Sequence, residues 1–219
     1  MLSLSYIELR ISEIFVSLQG ETDTAGLVTT FIRLTGCPLR CQYCDTAYAF
    51  SGGKKQTIQS MVDEVSGFGT NYVTVNGGEP LSQPNVHFLL SALCDLGLVV
   101  SLETSGALDI SNVDSRVVKI LDVKTPGSGE VARNRYQNLS ALQVSDQVKF
   151  VICNKNDYSW AKMKCEELKL CDLGCEVLFS PSSDELASRE LADWIVEDRL
   201  PVRMQIQLHK LLWNDEAGR

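Results

Sequence analysis

Cys37-Pro38-Leu39-Arg40-Cys41-Gln42-Tyr43-Cys44 is the most informative stretch of this sequence. It places three cysteines close together in C-x3-C-x2-C spacing, and their thiolates are soft ligands suited to iron–sulfur clusters, zinc or copper(I). A closed structural zinc site or an ordinary iron–sulfur cluster takes four protein ligands. No fourth cysteine or histidine lies nearby. The stretch therefore predicts a cluster with one open iron that can bind a small molecule.

The composition indicates one soluble domain spanning residues 1–219. Hydrophobic residues make up 44% of the 219, enough for a sizeable core. A net charge of −8 disfavours nucleic acid as a partner. No signal peptide or membrane span is apparent, so we expect a cytoplasmic location with no membrane partner. The eight cysteines are then reduced thiols. Cys171 and Cys175 are either a second metal pair or, as we favour, small residues at a helix end and a strand start.

Apolar runs alternate with segments of helical periodicity along the chain. The predicted strands are 11–18, 28–34, 72–75, 98–102, 117–123, 146–152, 176–179 and 201–208. The predicted helices are 57–65, 85–96, 157–170 and 184–197, and residues 51–55 read as a polar turn. The alternation predicts an α/β fold with a parallel sheet. Because the early segments are too short for a helix after every strand, we expect an incomplete TIM-type barrel with truncated helices.

Polar residues follow directly after several of the predicted strands. In barrels and open α/β sheets, this edge of the sheet builds the functional site. We therefore expect the cysteine loop to converge with the strand-end groups Gln19, Asn76 to Glu79, Glu103, Lys124 and His209.

Gly77-Gly78-Glu79-Pro80 is the second informative motif. Its glycines let backbone approach a ligand closely, and Glu79 can accept hydrogen bonds from an ammonium group. The alternative is an ordinary turn before a helix. Together with C-x3-C-x2-C and the aromatic Tyr43, the motif resembles the radical S-adenosylmethionine (SAM) superfamily. The resemblance implies a 4Fe–4S cluster on Cys37, Cys41 and Cys44, with SAM chelating the open iron and yielding a 5′-deoxyadenosyl radical.

The superfamily resemblance also implies a set of SAM-binding residues. They are Tyr43, Asp45, Gly78, Glu79, Glu103, Ser105, Asp122, Val123 and Lys124. Lys124 is the sensible partner for a carboxylate, although a solvated lysine at a strand end is the alternative.

Longer stretches resemble one family, the 7-carboxy-7-deazaguanine synthases, from near the start of the chain to near its end. They are Ser12–Glu21, Phe31–Cys37, Cys44–Thr46, Glu103–Gly106, Asp122–Gly129 and Gln205–Lys210. The resemblance implies a lyase with a truncated barrel that converts 6-carboxy-5,6,7,8-tetrahydropterin to 7-carboxy-7-deazaguanine and ammonia, in queuosine and deazapurine biosynthesis. The implied steps are hydrogen abstraction at C6, a Mg²⁺-assisted ring contraction and elimination.

The family resemblance supplies substrate and metal residues as well. The implied substrate-binding residues are Leu18, Gln19, Gly20, Arg33, Asn76, Gln207 and His209. Many members carry threonine at the position of Asn76, and a lone histidine such as His209 can be purely structural. Thr46 is the implied Mg²⁺ ligand, the alternative being a turn threonine that bonds its own backbone. A homodimer and a flavodoxin or ferredoxin reductant are also expected.

Two rival functions remain compatible with the motifs. An activating enzyme for a glycyl-radical protein would share C-x3-C-x2-C and the GGEP motif, but it would bind a protein. A zinc-binding module without enzymatic activity is the second rival. It is weakened by the missing fourth ligand.

Overall fold

The computed structural model describes residues 3–214, 216 and 218. Nine strands form one sheet. They are β1 (Glu8–Leu18), β2 (Val28–Leu34), β3 (Lys54–Thr57), β4 (Tyr72–Gly77), β5 (Val99–Thr104), β6 (Val118–Asp122), β7 (Gln147–Ile152), β8 (Glu176–Pro181) and β9 (Arg203–Met204). The α-helices are α1 (Ile58–Phe68), α2 (Val86–Asp95), α3 (Lys155–Glu167), α4 (Ser188–Asp198) and α5 (Leu208–Trp213).

The sheet runs in the order β3-β1-β2-β4-β5-β6-β7-β8-β9, and from β2 to β9 all neighbours are parallel. Within the described residues β3 and β9 do not pair, so the barrel stays open. No α-helix follows β5 or β6, where only turns and short 3-10 segments connect the strands. The expectation of an incomplete barrel with truncated helices is confirmed.

The sheet is parallel as expected except at its first edge, where β1 runs antiparallel to both β2 and β3. A parallel crossover needs a dozen or more residues. The connection between Leu18 and Val28 is shorter, so it can only reverse the chain.

Two further local predictions are corrected. The polar turn predicted at residues 51–55 ends in strand β3, because Lys54 and Lys55 pair with β1 at the edge of the sheet. The strand predicted over 201–208 is reduced to β9, and its end begins helix α5. The Leu208 amide donates to the Gly20 carbonyl at 3.0 Å, which draws the chain away from the sheet edge.

Helices cover one face of the sheet because their apolar residues recur at helical spacing. In α1 these are Ile58, Met61, Val62 and Val65, all buried. The Thr57 side chain accepts the Ser60 amide at 3.2 Å and so begins the helix. Helices α1 and α2 pack on β2, β4 and β5, while α3 and α4 pack on β7 and β8. No helix of the described residues is long and apolar enough to cross a membrane.

The opposite face of the strands lines the interior of the open barrel, and it is polar. Side chains in a strand alternate between faces. Val73 and Val75 of β4 therefore join the core, whereas Thr74 and Asn76 point inward. The same alternation brings Glu103 and Lys149 into the interior, which we call the lumen.

Candidate active site

The cysteine loop begins where β2 ends, and its backbone is held by the neighbouring segments. The Gly36 amide donates to the Ala49 carbonyl at 2.8 Å, and the Glu79 amide donates to the Gly36 carbonyl at 2.7 Å. Gly36 has φ +102, a conformation that favours glycine. The loop is therefore fixed on both sides before any ligand binds.

The three thiols are half-buried and close enough to influence one another. Burial raises the pKa of Cys37, with smaller contributions from Glu79 and Cys44. Burial also raises the pKa of Cys41, while nearby Lys124 opposes that rise. The loop therefore faces the strand-end residues that were predicted to join it.

The donor set of the loop fits a 4Fe–4S cluster, because cysteine thiolates are the soft ligands that hold such clusters. Cys37, Cys41 and Cys44 are the residues that would hold it.

The two glycines of the GGEP motif are required by packing between protein segments. Gly77 has φ +132, and a Cβ there would overlap the Leu34 backbone. A Cβ on Gly78 would overlap the Gly36 backbone and contact Cys37. The motif thus lets β4 lie directly against the cysteine loop.

Glu79 is fully buried, and its carboxylate is surrounded by donors of the protein. It accepts the Leu81 amide at 3.0 Å, the Thr104 hydroxyl at 3.0 Å and the Ser105 amide at 2.7 Å. The Ser105 hydroxyl donates to it as well. Glu79 and Ser105, both predicted to bind SAM, are therefore brought together, and Glu79 already fixes the ends of β4 and β5 to each other.

Lys124 is buried rather than solvated, because its ammonium group pairs with Asp122 at 2.9 Å. Burial alone raises the pKa of Asp122, but Lys124 and Lys149 outweigh it and hold that pKa below its usual range. Burial raises the pKa of Tyr43, whose hydroxyl has no hydrogen-bond partner within the described part of the chain. Tyr43 also lies near Lys124 and Cys41. Val123, between the two ion-pair residues, is buried.

A buried ion pair between Lys149 and Glu21 occupies the lumen, and the sequence analysis missed it. Lys149 Nζ also lies 4.0 Å from Asp122 Oδ1. Burial alone lowers the pKa of Lys149, but Glu21 and Asp122 outweigh it and raise that pKa well above its usual value. The signal was a lysine at an inward position of the apolar run Gln147–Ile152, where only a lumen with counter-charges accommodates it.

Asn76 and Glu103 face each other across β4 and β5. The Asn76 amide nitrogen lies 3.5 Å from Glu103 Oε2, and Asn76 Oδ1 has no partner among the described residues. Burial raises the pKa of Glu103. This places Glu103, predicted to contact SAM, beside Asn76, predicted to contact substrate.

Arg33 is held at the mouth of the lumen by β1 and by the segment after the cysteine loop. Its Nε donates to Glu13 Oε1 at 2.8 Å, and the Tyr48 hydroxyl donates to the same oxygen at 2.8 Å. The guanidinium lies 5.7 Å from the Phe15 ring centroid and 5.8 Å from that of Tyr48. Arg33 therefore combines a charge with a stacking surface, as predicted for a substrate-binding arginine.

Residues 18–20 and 207–209 meet at the lumen. A Cβ on Gly20 would lie 2.6 Å from His209 Nδ1 and 3.4 Å from the His209 backbone nitrogen, so α5 packs directly against Gly20 and a larger residue there would displace the His209 side chain. The Gln19 amide group donates to Thr74 Oγ1 at 3.0 Å, and its oxygen accepts the Glu21 amide at 3.3 Å. Leu18 ends β1 beside them. The predicted substrate residues from residues 18–20 and 207–209 therefore form one wall.

The same wall reaches the cysteine loop. Gln207 Nε2 donates to Asp45 Oδ2 at 3.1 Å, which joins a predicted substrate residue to a predicted SAM residue. Thr46 Oγ1 lies 3.8 Å from Cys44 Sγ, and the Thr46 carbonyl accepts the Ala49 amide at 2.9 Å. Its hydroxyl makes no cap hydrogen bond to the helical turn Ala47–Phe50.

The remaining candidate pair lies elsewhere. Cys171 is exposed in a 3-10 turn, and Cys175 is buried directly before β8. Their positions at a helical turn and a strand start are those that the favoured alternative predicted.

Comparison with known proteins gives a consistent assignment. Residues 31–124 match the radical SAM superfamily. The chain is 46% identical to the 7-carboxy-7-deazaguanine synthase of Chlorobaculum tepidum, over 95% of this chain and 96% of the relative. It is 40% identical to the enzyme of the same name from Koribacter versatilis, over 95% of this chain and 99% of the relative.

A solved structure agrees with the fold. The crystal structure of QueE from Escherichia coli superposes with a TM-score of 0.72 at 21% identity, covering 94% of this chain and 96% of that one. On the strength of the full-length similarity at 46% identity, this chain belongs to the 7-carboxy-7-deazaguanine synthase family of radical SAM enzymes, whose members carry a 4Fe–4S cluster and use SAM.

Proposed function

We propose that the chain converts 6-carboxy-5,6,7,8-tetrahydropterin to 7-carboxy-7-deazaguanine with release of ammonia. The observation that carries the proposal is the similarity to synthases of that name over nearly the whole chain. The whole of residues 1–219 acts as one domain in this proposal, because a single sheet connects the cysteine loop with the C-terminal wall.

The cysteine loop would hold the cluster, and the groups around it would hold SAM. When bound, the cluster and SAM supply a 5′-deoxyadenosyl radical that removes hydrogen from C6 of the substrate. Glu79 keeps β4 and β5 in register beside the loop. Lys124 provides a buried cation suited to a carboxylate, and Tyr43 provides an aromatic surface suited to adenine.

The lumen offers the chemistry that a carboxylated pterin needs. Arg33 supplies a guanidinium for the carboxylate and a stacking plane for the ring. Asn76 Oδ1 is a buried acceptor without a partner in the described residues, suited to a ring N–H. His209, beside Gly20, lies on the wall that would enclose the ring. Glu103 and the Lys149–Glu21 ion pair complete a polar enclosure.

Thr46 would supply a hydroxyl ligand for Mg²⁺, with waters and the substrate carboxylate as the others. Mg²⁺ would neutralise that carboxylate and orient the reacting ring. We expect Thr46→Ala to weaken the dependence of turnover on Mg²⁺ while the cluster keeps its absorbance. Unchanged metal dependence in that variant would remove Thr46 from the site.

A flavodoxin or ferredoxin would serve as the reductant. Electron carriers of this kind are acidic, and a chain of net charge −8 would repel them except at a locally basic surface. Four exposed basic residues flank the segment after the cysteine loop: Arg10, Arg40, Lys54 and Lys55. Strand β3 lies two strands from β2 in the sheet. Lys54 is therefore roughly 10 Å from Leu34, the residue that ends β2 just before the cysteine loop.

A homodimer and a cytoplasmic location complete the proposal. All eight cysteines are free thiols, as expected in a reducing compartment. Analytical ultracentrifugation tests the dimer directly.

Anaerobic turnover with the pterin, SAM, reductant and Mg²⁺ tests the proposed reaction. The zinc alternative predicts a colourless, iron-free protein with stoichiometric zinc. The glycyl-radical alternative predicts SAM cleavage that depends on a protein partner and not on the pterin.

A further inference from the structure

Asp157 is a buried carboxylate outside every motif discussed so far. It lies in the first turn of α3 and is 1% exposed. Its oxygens accept the Gly127 amide at 2.8 Å, the Cys153 amide at 3.1 Å and, at 3.2 Å, the Thr125 hydroxyl, which is shared with the Val151 carbonyl at 2.9 Å. Three donors therefore converge on one carboxylate at the site-facing edge of the sheet.

The segment that Asp157 holds is itself rigid. Within residues 125–130, the Ser128 hydroxyl donates to the Thr125 carbonyl at 2.6 Å and accepts the Glu130 amide at 3.0 Å. A Cβ on Gly127 would overlap Asp157 Oδ2, so glycine is required for the carboxylate to reach the backbone.

Residues 125–130 in turn form hydrogen bonds with the cysteine loop on both sides of Cys41. The Gln42 amide donates to the Ser128 carbonyl at 3.1 Å, and the Arg40 amide donates to Glu130 Oε1 at 2.5 Å. Both of these bonds come from residues 128–130. The position of Cys41 thus depends on residues 125–130, and theirs on Asp157.

We propose that Asp157 is a positioning residue for the iron–sulfur site, acting through residues 125–130 on Cys41. The inference rests on the proposed function only in that the cysteine loop holds a cluster. Asp157 touches neither cofactor nor substrate. Its two acceptor oxygens matter because the Gly127 and Cys153 amides can only donate, one to each oxygen, and an asparagine would turn its NH2 group toward one of them.

Asp157→Asn tests the inference, with Asp146→Asn as a matched control. Asp146 is also 1% exposed, and it accepts the Lys119 and Gln143 amides, both at 2.7 Å. It differs in location, because it lies before β7 at the opposite end of the barrel. Both variants lose a buried, hydrogen-bonded carboxylate, and Asp146→Asn in addition breaks a buried ion pair with Lys119 Nζ at 2.9 Å. A purely structural effect would therefore be at least as large in Asp146→Asn as in Asp157→Asn.

Amide hydrogen exchange of the cluster-free protein gives the first readout. We expect Asp157→Asn to speed exchange in residues 38–44 and 125–130 by about tenfold or more, and Asp146→Asn to leave these segments unchanged. The second readout is the electron paramagnetic resonance spectrum of the reduced cluster, with and without SAM. It should change in Asp157→Asn alone.

Equal effects of the two variants, or no effect of either on residues 38–44, would overturn the inference. If Asp157→Asn does not fold, Thr125→Val removes one of the three donors and should give a smaller change of the same kind. If the wild-type protein assembles no cluster, the proposed function fails. Hydrogen exchange still decides the role of Asp157 in that case.

Discussion

The Ser105 amide donates a 2.7 Å hydrogen bond to the Glu79 carboxylate, and the Ser105 hydroxyl donates a second bond to the same oxygen. These bonds join the end of β4 to the end of β5 at the point where the cysteine loop packs. The carboxylate that the motif analysis assigned to ligand binding therefore also determines the local structure.

Ser105→Ala should lower the free energy of unfolding by about 1–3 kcal/mol, because it removes a hydroxyl donor from a buried carboxylate. Urea denaturation measures the change. The control is Ser140→Ala, an exposed serine that should change stability by less than about 0.5 kcal/mol. Equal changes in the two variants would mean that the Ser105 hydroxyl contributes nothing to holding Glu79.

Lys149→Met should be more destabilising, by about 3–5 kcal/mol, because it leaves Glu21 buried without its counter-charge. Adding Glu21→Gln should restore part of the loss. The raised pKa of Lys149 means that its contribution is present at every pH below about 10, the ordinary lysine pKa, and is lost only as pH rises through the folded-state value. Denaturation at pH 7 and pH 9 should therefore give the same difference between wild type and variant.

Glu103→Gln should raise the free energy of unfolding of the ligand-free protein, whereas Lys149→Met should lower it. Burial raises the pKa of Glu103, so folding favours its protonated form. That contribution is complete below the unfolded pKa of about 4.3 and is lost as pH rises through the raised folded value. The variant should therefore be more stable than wild type at pH 7, and the gain should shrink toward pH 4. A gain that grows on acidification would contradict this account.

Gly20→Ala should disturb the wall formed by the chain ends, because its Cβ would meet His209 Nδ1 at 2.6 Å. We expect the KM for the pterin to rise by roughly tenfold, equivalent to about 1.4 kcal/mol, with the cluster absorbance unchanged. The control is Gly67→Ala in α1, where a Cβ meets nothing within 4 Å and should stabilise the helix by about 0.5–1 kcal/mol. An unchanged KM would mean that His209 does not belong to the wall that encloses the substrate.

Much of the fold was predictable from the spacing of apolar residues in the sequence and from the lengths of the connections between them. Residues 57–65 showed helical spacing, and α1 carries their apolar residues into the core. The antiparallel β1–β2 pair was predictable from the short connection between Leu18 and Val28. The start of helix α5 at Leu208 was not predictable, because the apolar alternation of residues 203–208 is typical of a strand. The helix start at Leu208 is accompanied by the long-range bond from its amide to the Gly20 carbonyl, which no local pattern predicts.

The candidate site likewise has parts that the sequence predicted and parts that it did not. Motifs with fixed spacing, such as the three cysteines and GGEP, were visible because their spacing is local. The Lys149–Glu21 pair was not, because its partners are distant in sequence and meet only when β7 faces the loop after β1. Asp157 was hidden for a similar reason. An aspartate in the first turn of a helix is common, and only its bonds to the distant Thr125 and Gly127 distinguish it.

Turnover by the reconstituted protein tests the central claim most directly. With 6-carboxy-5,6,7,8-tetrahydropterin, SAM, reductant and Mg²⁺ under anaerobic conditions, mass spectrometry should detect 7-carboxy-7-deazaguanine. Ammonia should form in equal amount, and SAM should be regenerated rather than consumed. An intact cluster that binds SAM but yields no deazaguanine carboxylate would contradict the proposed function.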